Sequence, residues 1–184
     1  MTTYIALVRG INVGGHAKVS MSDLRGMVTR MGFRDPQSLL NSGNLVFRSD
    51  VRSASKLETM LEEEAKKRLA IDTLFFVRTS GEMQTIIKMN PFPREAESDP
   101  GRFAVIFFKN APEQKSVKAL QGMIAGPEVI RSEGRQAYVL YPDGQGRSKL
   151  TLTLIESRLH TKGTGRNWNT VLKLATSSAD RDDN

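Results

Sequence analysis

Gln37–Phe47 reads QSLLNSGNLVF, and this stretch decides the fold. Two short apolar segments, Gln37–Leu40 and Asn44–Phe47, flank Asn41-Ser42-Gly43. The pattern predicts two strands joined by a tight turn, or one bent strand carrying a bulge. Upstream, Met21, Leu24, Met27, Val28 and Met31 recur on one helical face. Ser20 with Asp23 three residues on is a variant capping box, and Gly32 stands where a helix stops. Before that helix comes a glycine-bearing loop, Gly10 to Lys18, and before the loop Tyr4–Arg9 (YIALVR), a buried strand. Downstream, Leu57, Leu61, Ala65 and Leu69 line a helix that starts at Ser53 or Ser55. Glu62, Glu63 and Glu64 each stand four residues before Lys66, Lys67 and Arg68, an order that supports a helix and suits its dipole. Thr73–Val77 (TLFFV) is a further buried strand, and Thr79 with Glu82 has capping-box spacing before a short helix through Lys88. The order is β-α-β-β-α-β, the split or ferredoxin-like pattern.

Asn90–Gly101 (NPFPREAESDPG) holds three prolines and a glycine and is the best candidate boundary. It predicts a ferredoxin-like α+β subdomain over 1–90, a linker over 91–101, a second, smaller α+β subdomain over 102–176 that ends in helices, and a disordered tail over 177–184. In the second part, Phe103–Phe108 (FAVIFF) is a strand, and Asn110 with Glu113 caps a helix carrying Val117, Leu120 and Ile124. Val129–Arg131 and Ala137–Tyr141 flank Glu133-Gly134, a hairpin signal. Ser148–Leu159 reads two ways. Leu150, Leu152 and Leu154 alternate as in a strand, whereas Leu152, Ile155 and Leu159 fit a helix. Trp168, Val171, Leu172 and Ala175 give a last amphipathic helix after Gly165.

Composition narrows the chemistry. The chain has 184 residues, 39% hydrophobic and 26% charged, which excludes a disordered or fibrous class. It has no cysteine, so disulfides, thiol nucleophiles and cysteine-ligated metals are out. No apolar run approaches the ~20 residues of a membrane span, and the opening MTTYIALVRG lacks a basic leader, so the expected address is the cytoplasm with no membrane partner. Net charge is +7, and the stretch 145–173 is strongly basic, with six Lys or Arg against Glu156 alone. Such a patch attracts phosphates, nucleic acid or anionic metabolites, or is a solvated helix face.

Two segments are candidate chemistry. RGINVGGHAK (Arg9 to Lys18) places Gly10, Gly14 and Gly15 between a strand and a helix, where backbone N–H groups converge and Arg9 and Lys18 supply positive charge. Its glycine spacing matches neither a Walker A loop nor a dinucleotide fingerprint, and the alternative is a strand-to-helix turn that needs positive φ. TGRNWNT (Thr164 to Thr170) gathers Arg166, Asn167, Trp168 and Asn169 at a helix start, either to hold an anion or a base or simply to cap a helix around a buried indole. Catalysis has little support. His16 and His160 are the only histidines, no HxH or HExxH spacing is present, and Ser42 lacks a nucleophile elbow. Neither a metal site nor a cofactor is specified. A single-stranded nucleic-acid binder is the rival class, yet the first and third strands offer only Tyr4 and Phe47, with Leu45 beside it, as a stacking platform. A protein–protein module using sheet surface is the third.

Together, the opening YIALVRGINVGGHAKVSMSDLRGMVTRMGF, the middle NSGNLVF and the close TGRNWNTVLKL resemble the family catalogued as domain of unknown function 1697. The resemblance runs from about Tyr4 to Ala175. It implies a bacterial-type protein of two small α+β subdomains, the first ferredoxin-like, and favours a helix over Ser148–Leu159. It implies no activity. Arg9, Gly10, Asn12, Gly14, Gly15, Lys18, Ser42, Gly43, Asn44 and Arg166 to Thr170 fall on its recurring motifs. The function expected on these grounds is binding of a small anion (phosphate, nucleotide or carboxylate) by the glycine loop with Ser42 and Asn44 and by the Arg166–Asn169 segment.

Overall fold

The computed structural model describes residues 1–11 and 18–179. Asn12, Gly14, Gly15 and His16 therefore lie outside the described residues, as do 180–184. The chain divides into two units: Met1–Thr85 with Lys173–Asn184, and Ile86–Leu172.

Unit 1 runs β1 (Thr2–Val8), α1 (Met21–Arg30), β2 (Arg34–Leu39), β3 (Asn44–Ser49), α2 (Ala54–Leu69), β4 (Phe75–Thr79) and the start of α3 (Ser80–Lys88). Its sheet has the order β2-β3-β1-β4 and is antiparallel throughout. The local signals act as the sequence expects. Ser20 accepts the Asp23 N–H at 2.9 Å and Ser53 the Lys56 N–H at 3.2 Å. Tyr4, Ala6 and Val8 of β1, with Leu45 and Phe47 of β3, alternate onto one face, where Leu24, Met27 and Val28 of α1 and Leu57, Leu61 and Ala65 of α2 cover them. The hairpin reading of Gln37–Phe47 is correct, with a register shift between Arg34 and Gln37.

Unit 2 repeats this plan more completely than its sequence suggests. It runs α4 (Pro93–Ser98), β5 (Phe103–Phe108), α5 (Gln114–Met123), β6 (Val129–Glu133), β7 (Gln136–Leu140), α6 (Leu152–Leu159), β8 (Gly163–Asn167) and the start of α7 (Trp168–Ala179). The sheet order β6-β7-β5-β8 is that of unit 1. Ala104, Ile106 and Phe108 of β5, with Ala137 and Val139 of β7, pack under Val117 and Leu120 of α5 and Ile155 and Leu159 of α6.

Several expectations change here. The division falls at Thr85–Ile86, not within the proline-rich stretch. Over 91–101 the prolines begin structure: Pro93 opens α4, Pro100 opens a single 3-10 turn, and Phe92 packs edge-on against Phe103 at 6.0 Å. Residues 177–179 are helical, Ser178 is fully buried, and this end of α7 joins unit 1, where Gln84 Nε2 donates to Ala175 O. Ser148–Leu159 resolves as a helix from Leu152, because the Thr151 hydroxyl caps the Leu154 N–H at 3.2 Å. Asn110 is not a cap; its N–H donates to the Thr161 hydroxyl, and Glu113 stands at the N-cap position without a side-chain capping bond.

Candidate functional site

The end of β1 is held firmly. The Arg9 N–H donates to Leu74 O at 3.0 Å, and the Thr73 hydroxyl donates to Arg9 O at 2.5 Å. Gly10 then takes φ +61°, a left-handed conformation that glycine adopts without strain. This turns Ile11 inward, where it is 1% exposed. Ile11 lands on the β2–β3 turn. Gly43 has φ +77°, and a Cβ there would stand 2.9 Å from Ile11 Cδ1 and Cγ1 and from Val8 Cβ. The Val8 N–H donates to Gly43 O at 2.8 Å. The buried Asn44 amide closes the turn, donating to Leu39 O at 2.9 Å and to Ser42 Oγ at 3.0 Å. Thus Arg9–Ile11 and Asn41–Asn44, some thirty residues apart in the chain, form one packed corner of unit 1. Arg9 is half-buried, Ser42 and Lys18 are exposed, and Lys18 precedes Ser20, the cap of α1.

The Arg166–Thr170 segment lies in unit 2, and structural roles account for most of it. Asn167 Oδ1 accepts the Thr170 N–H at 2.9 Å, which makes Asn167 the cap of α7. Trp168 is 5% exposed, with its ring 4.8 Å from that of Phe103. Asn169 is exposed. Arg166 is buried, and its Nη1 donates to Thr164 Oγ1 at 2.9 Å and Gly165 O at 2.8 Å. Burial pulls its pKa down to about 10, so it still carries its charge at neutral pH.

Unit 1 contains the counterpart of this segment. Arg78 and Arg166 occupy matching register positions, opposite Ile5 and Val105. Each guanidinium donates to the carbonyl of the residue before it, Val77 or Gly165, at 2.8 Å. Each is followed by a helix cap. Thr79 and Glu82 exchange two bonds of 2.8 and 3.0 Å, the expected capping box. The fourth strand of each unit also rests on a helix carboxylate. Glu62 and Glu58 of α2 accept the Phe75 and Val77 N–H groups at 2.9 and 2.8 Å, and Glu156 of α6 accepts that of Gly163 at 2.9 Å. Sequence reasoning missed Glu58, Arg78 and Glu156. The two acids had one signal, a place flanking the apolar stripe, Glu58 beside Leu57 and Glu156 beside Ile155.

Tyr4, Leu45 and Phe47, the candidate stacking platform, are all 1% exposed or less and belong to the core beneath α1 and α2. Among the described residues no three His, Asp or Glu side chains group as a metal site, and no helix is long and apolar enough to cross a membrane.

Residues 1–138 match the family described as protein of unknown function, DUF1697. The chain belongs to this family. The matched part of this DUF1697 protein includes the Arg9–Lys18 loop and the Asn41–Asn44 turn and ends before β8. The chain is also similar to the conserved bacterial protein SP0830 from Streptococcus pneumoniae, at 26% identity and a TM-score of 0.73, over 95% of this chain and 97% of that one. No curated protein matches it.

Proposed function

We propose that the protein binds a small anion, a phosphate, nucleotide or carboxylate, at the corner of unit 1 where the β1–α1 loop meets the β2–β3 turn. The observation that carries this reading is the packing of Ile11 and Val8 against Gly43, which leaves no room for a side chain there. A loop whose base is fixed on a second loop can present its amides with little ordering cost on binding. Arg9 and Lys18 supply the charge, Gly10, Asn12, Gly14 and Gly15 the backbone, and Ser42 an exposed hydroxyl at the rim, while Asn44 holds the turn. Arg166, Asn167, Trp168 and Asn169 are outside this reading, because capping and packing in unit 2 already employ Asn167 and Trp168. Titration calorimetry with inorganic phosphate and with nucleotides at low salt tests it. Binding that weakens at least tenfold in Arg9→Ala and in Lys18→Ala is expected; affinity unchanged in both variants rejects the site.

Binding of single-stranded nucleic acid would need a surface other than Tyr4 and Phe47. A labelled oligonucleotide whose affinity falls linearly with log salt, and falls no further in Arg9→Ala, would favour that class instead. Cytoplasmic residence is part of the same proposal, and fractionation of the tagged protein checks it.

A further inference from the structure

Unit 2 contains a cavity of about 410 Å³ between the C-terminal end of α5, the turn at Gly126–Glu128 and the segment leading into α6. Its volume falls within the roughly 300–1,000 Å³ of small-molecule sites. Leu120 and Leu150 are buried in its floor, Ile124 and Leu154 form its sides, and Met123, 55% exposed, stands at its mouth. Its walls are tied together. Glu128 Oε1 accepts the Ser148 hydroxyl, and Ser148 Oγ in turn accepts the Leu150 N–H at 3.0 Å. Gln121 Oε1 accepts the Ile130 N–H at 2.7 Å and its amide reaches Glu128 O at 3.4 Å.

The charges at this cavity are unbalanced. Arg147 and Lys149, on either side of Ser148, both line it and are exposed. Among the described residues neither side chain has an ion pair or hydrogen bond. Glu128, the one acid in the lining, is 9% exposed and engaged by Ser148 through one oxygen. An apolar hollow with two uncommitted cations at its rim fits a ligand with an apolar body and an anionic head. A plain phosphate would leave the leucine floor wet, and an uncharged hydrocarbon would leave the cations unused.

We infer that this cavity is a binding site for an amphipathic carboxylate, with its aliphatic or aromatic body on Leu120, Ile124, Leu150 and Leu154 and its head between Arg147 and Lys149. The site differs from the anion site of unit 1 in place and in its demand for an apolar body on the ligand, and it stands whether or not that site does.

The test uses three probes of one shape, octanoate, 1-octanol and octylamine, titrated into the full chain and followed by NMR shifts of the leucine methyl groups. Octanoate should bind at least tenfold more tightly than octylamine and more tightly than octanol, with the largest shifts at Leu150 and Leu154. Inorganic phosphate should not displace it, and Arg9→Ala should leave it unchanged, which separates this result from the fate of the unit 1 proposal. The double variant Arg147→Glu with Lys149→Glu replaces exposed residues, and an unchanged Tm confirms that it folds. In it, octanoate affinity should fall at least tenfold and octylamine affinity should rise. Equal binding of all three probes, preference for octylamine, no binding, or octanoate affinity unmoved by the double variant would each overturn the inference.

Discussion

The two units follow one path with opposite distributions of bulk. In unit 1 the first strand is small on its inner face where the fourth is large: Ala6 pairs with Val77, and Val8 with Phe75. In unit 2 the first strand is large and the fourth small: Ile106 pairs with Gly165, and Phe108 with Gly163. A Cβ on Gly163 would stand 3.0 Å from Ile106 Cγ2 and from Phe108 Cδ1. The summed volume across the strand pair fills the space under the helices, and either strand can supply it, as expected of close-packed interiors. What the units share is polar and positional: a helix carboxylate on the fourth strand's N–H, an arginine opposite the centre of the first strand, and a helix cap directly after it. The repeat is therefore carried by these hydrogen bonds together with apolar alternation at matching positions, while the bulk at each position differs.

That comparison can be broken at the carboxylates. Glu58 accepts the Val77 N–H and stands 3.9 Å from Arg78 Nη1, with both side chains buried. Glu58→Ala leaves a buried N–H and a buried cation with one partner fewer, an expected loss of about 4 kcal/mol. Glu156 also accepts a strand N–H, but its ion-pair partner Lys162 is exposed. Glu156→Ala is expected to cost about 1.5 kcal/mol. Urea denaturation of the two variants measures the gap, and equal losses would mean that the buried Arg78 does not depend on Glu58.

This difference in bulk also explains what the sequence concealed. β1, α1, the β2–β3 hairpin, α2, β4 and the cap of α3 were legible because each displays an apolar stripe or a cap within a few residues. GTGRN does not look like a strand, because its partner β5 provides the side chains that strand patterns rely on. Without β8, unit 2 reads as an incomplete repeat. The TGRNWNT cluster then stands out as chemistry, although an arginine and a cap hold the same positions in the plain-looking VRTSGE of unit 1. The corner at Gly43 was half legible. Both glycine motifs were visible, but their contact through Ile11 depends on the register of strands far apart in sequence. Glu58 was hidden for a simpler reason: an acid next to a leucine on a charged helix looks like any other surface acid until the fold buries it.

The hairpin turns sharpen the same contrast. Gly43 and Gly134 occupy equivalent β2–β3 and β6–β7 turns, with φ +77° and +56°. A methyl group at Gly43 meets Ile11 and Val8 at 2.9 Å, whereas at Gly134 the nearest atom is Gln136 Oε1, at 3.8 Å. Gly134→Ala bears only the left-handed backbone cost, about 1 kcal/mol. Gly43→Ala adds an overpacked contact, for a total of about 3 kcal/mol. If Gly43→Ala lost no more than Gly134→Ala, the corner would be loose, and the support for an anchored loop in unit 1 would go with it.

The smallest expected effect is electrostatic and lies in unit 2. Burial, and then the charge of Glu128, push the Tyr141 hydroxyl up to about 12, and burial above all does the same for Tyr138. A phenol whose pKa is higher in the folded chain keeps its full contribution below the unfolded value near 10 and loses it as pH rises toward 12. Tyr138 and Tyr141 shift in the same direction, so Tyr141 is isolated by difference. Tyr141→Phe removes the hydroxyl that donates to Leu150 O at 3.2 Å, a cost independent of pH below about 9. Between pH 8 and pH 10.5 the stability gap between the wild type and Tyr141→Phe should shrink by about 0.8 kcal/mol, the size set by linkage for a shift of this extent. Denaturant titrations at the two pH values read it directly. A gap that stays constant would mean that Tyr141 ionises in the folded chain as easily as in the unfolded one, which would require water at the Leu150 side of the cavity floor.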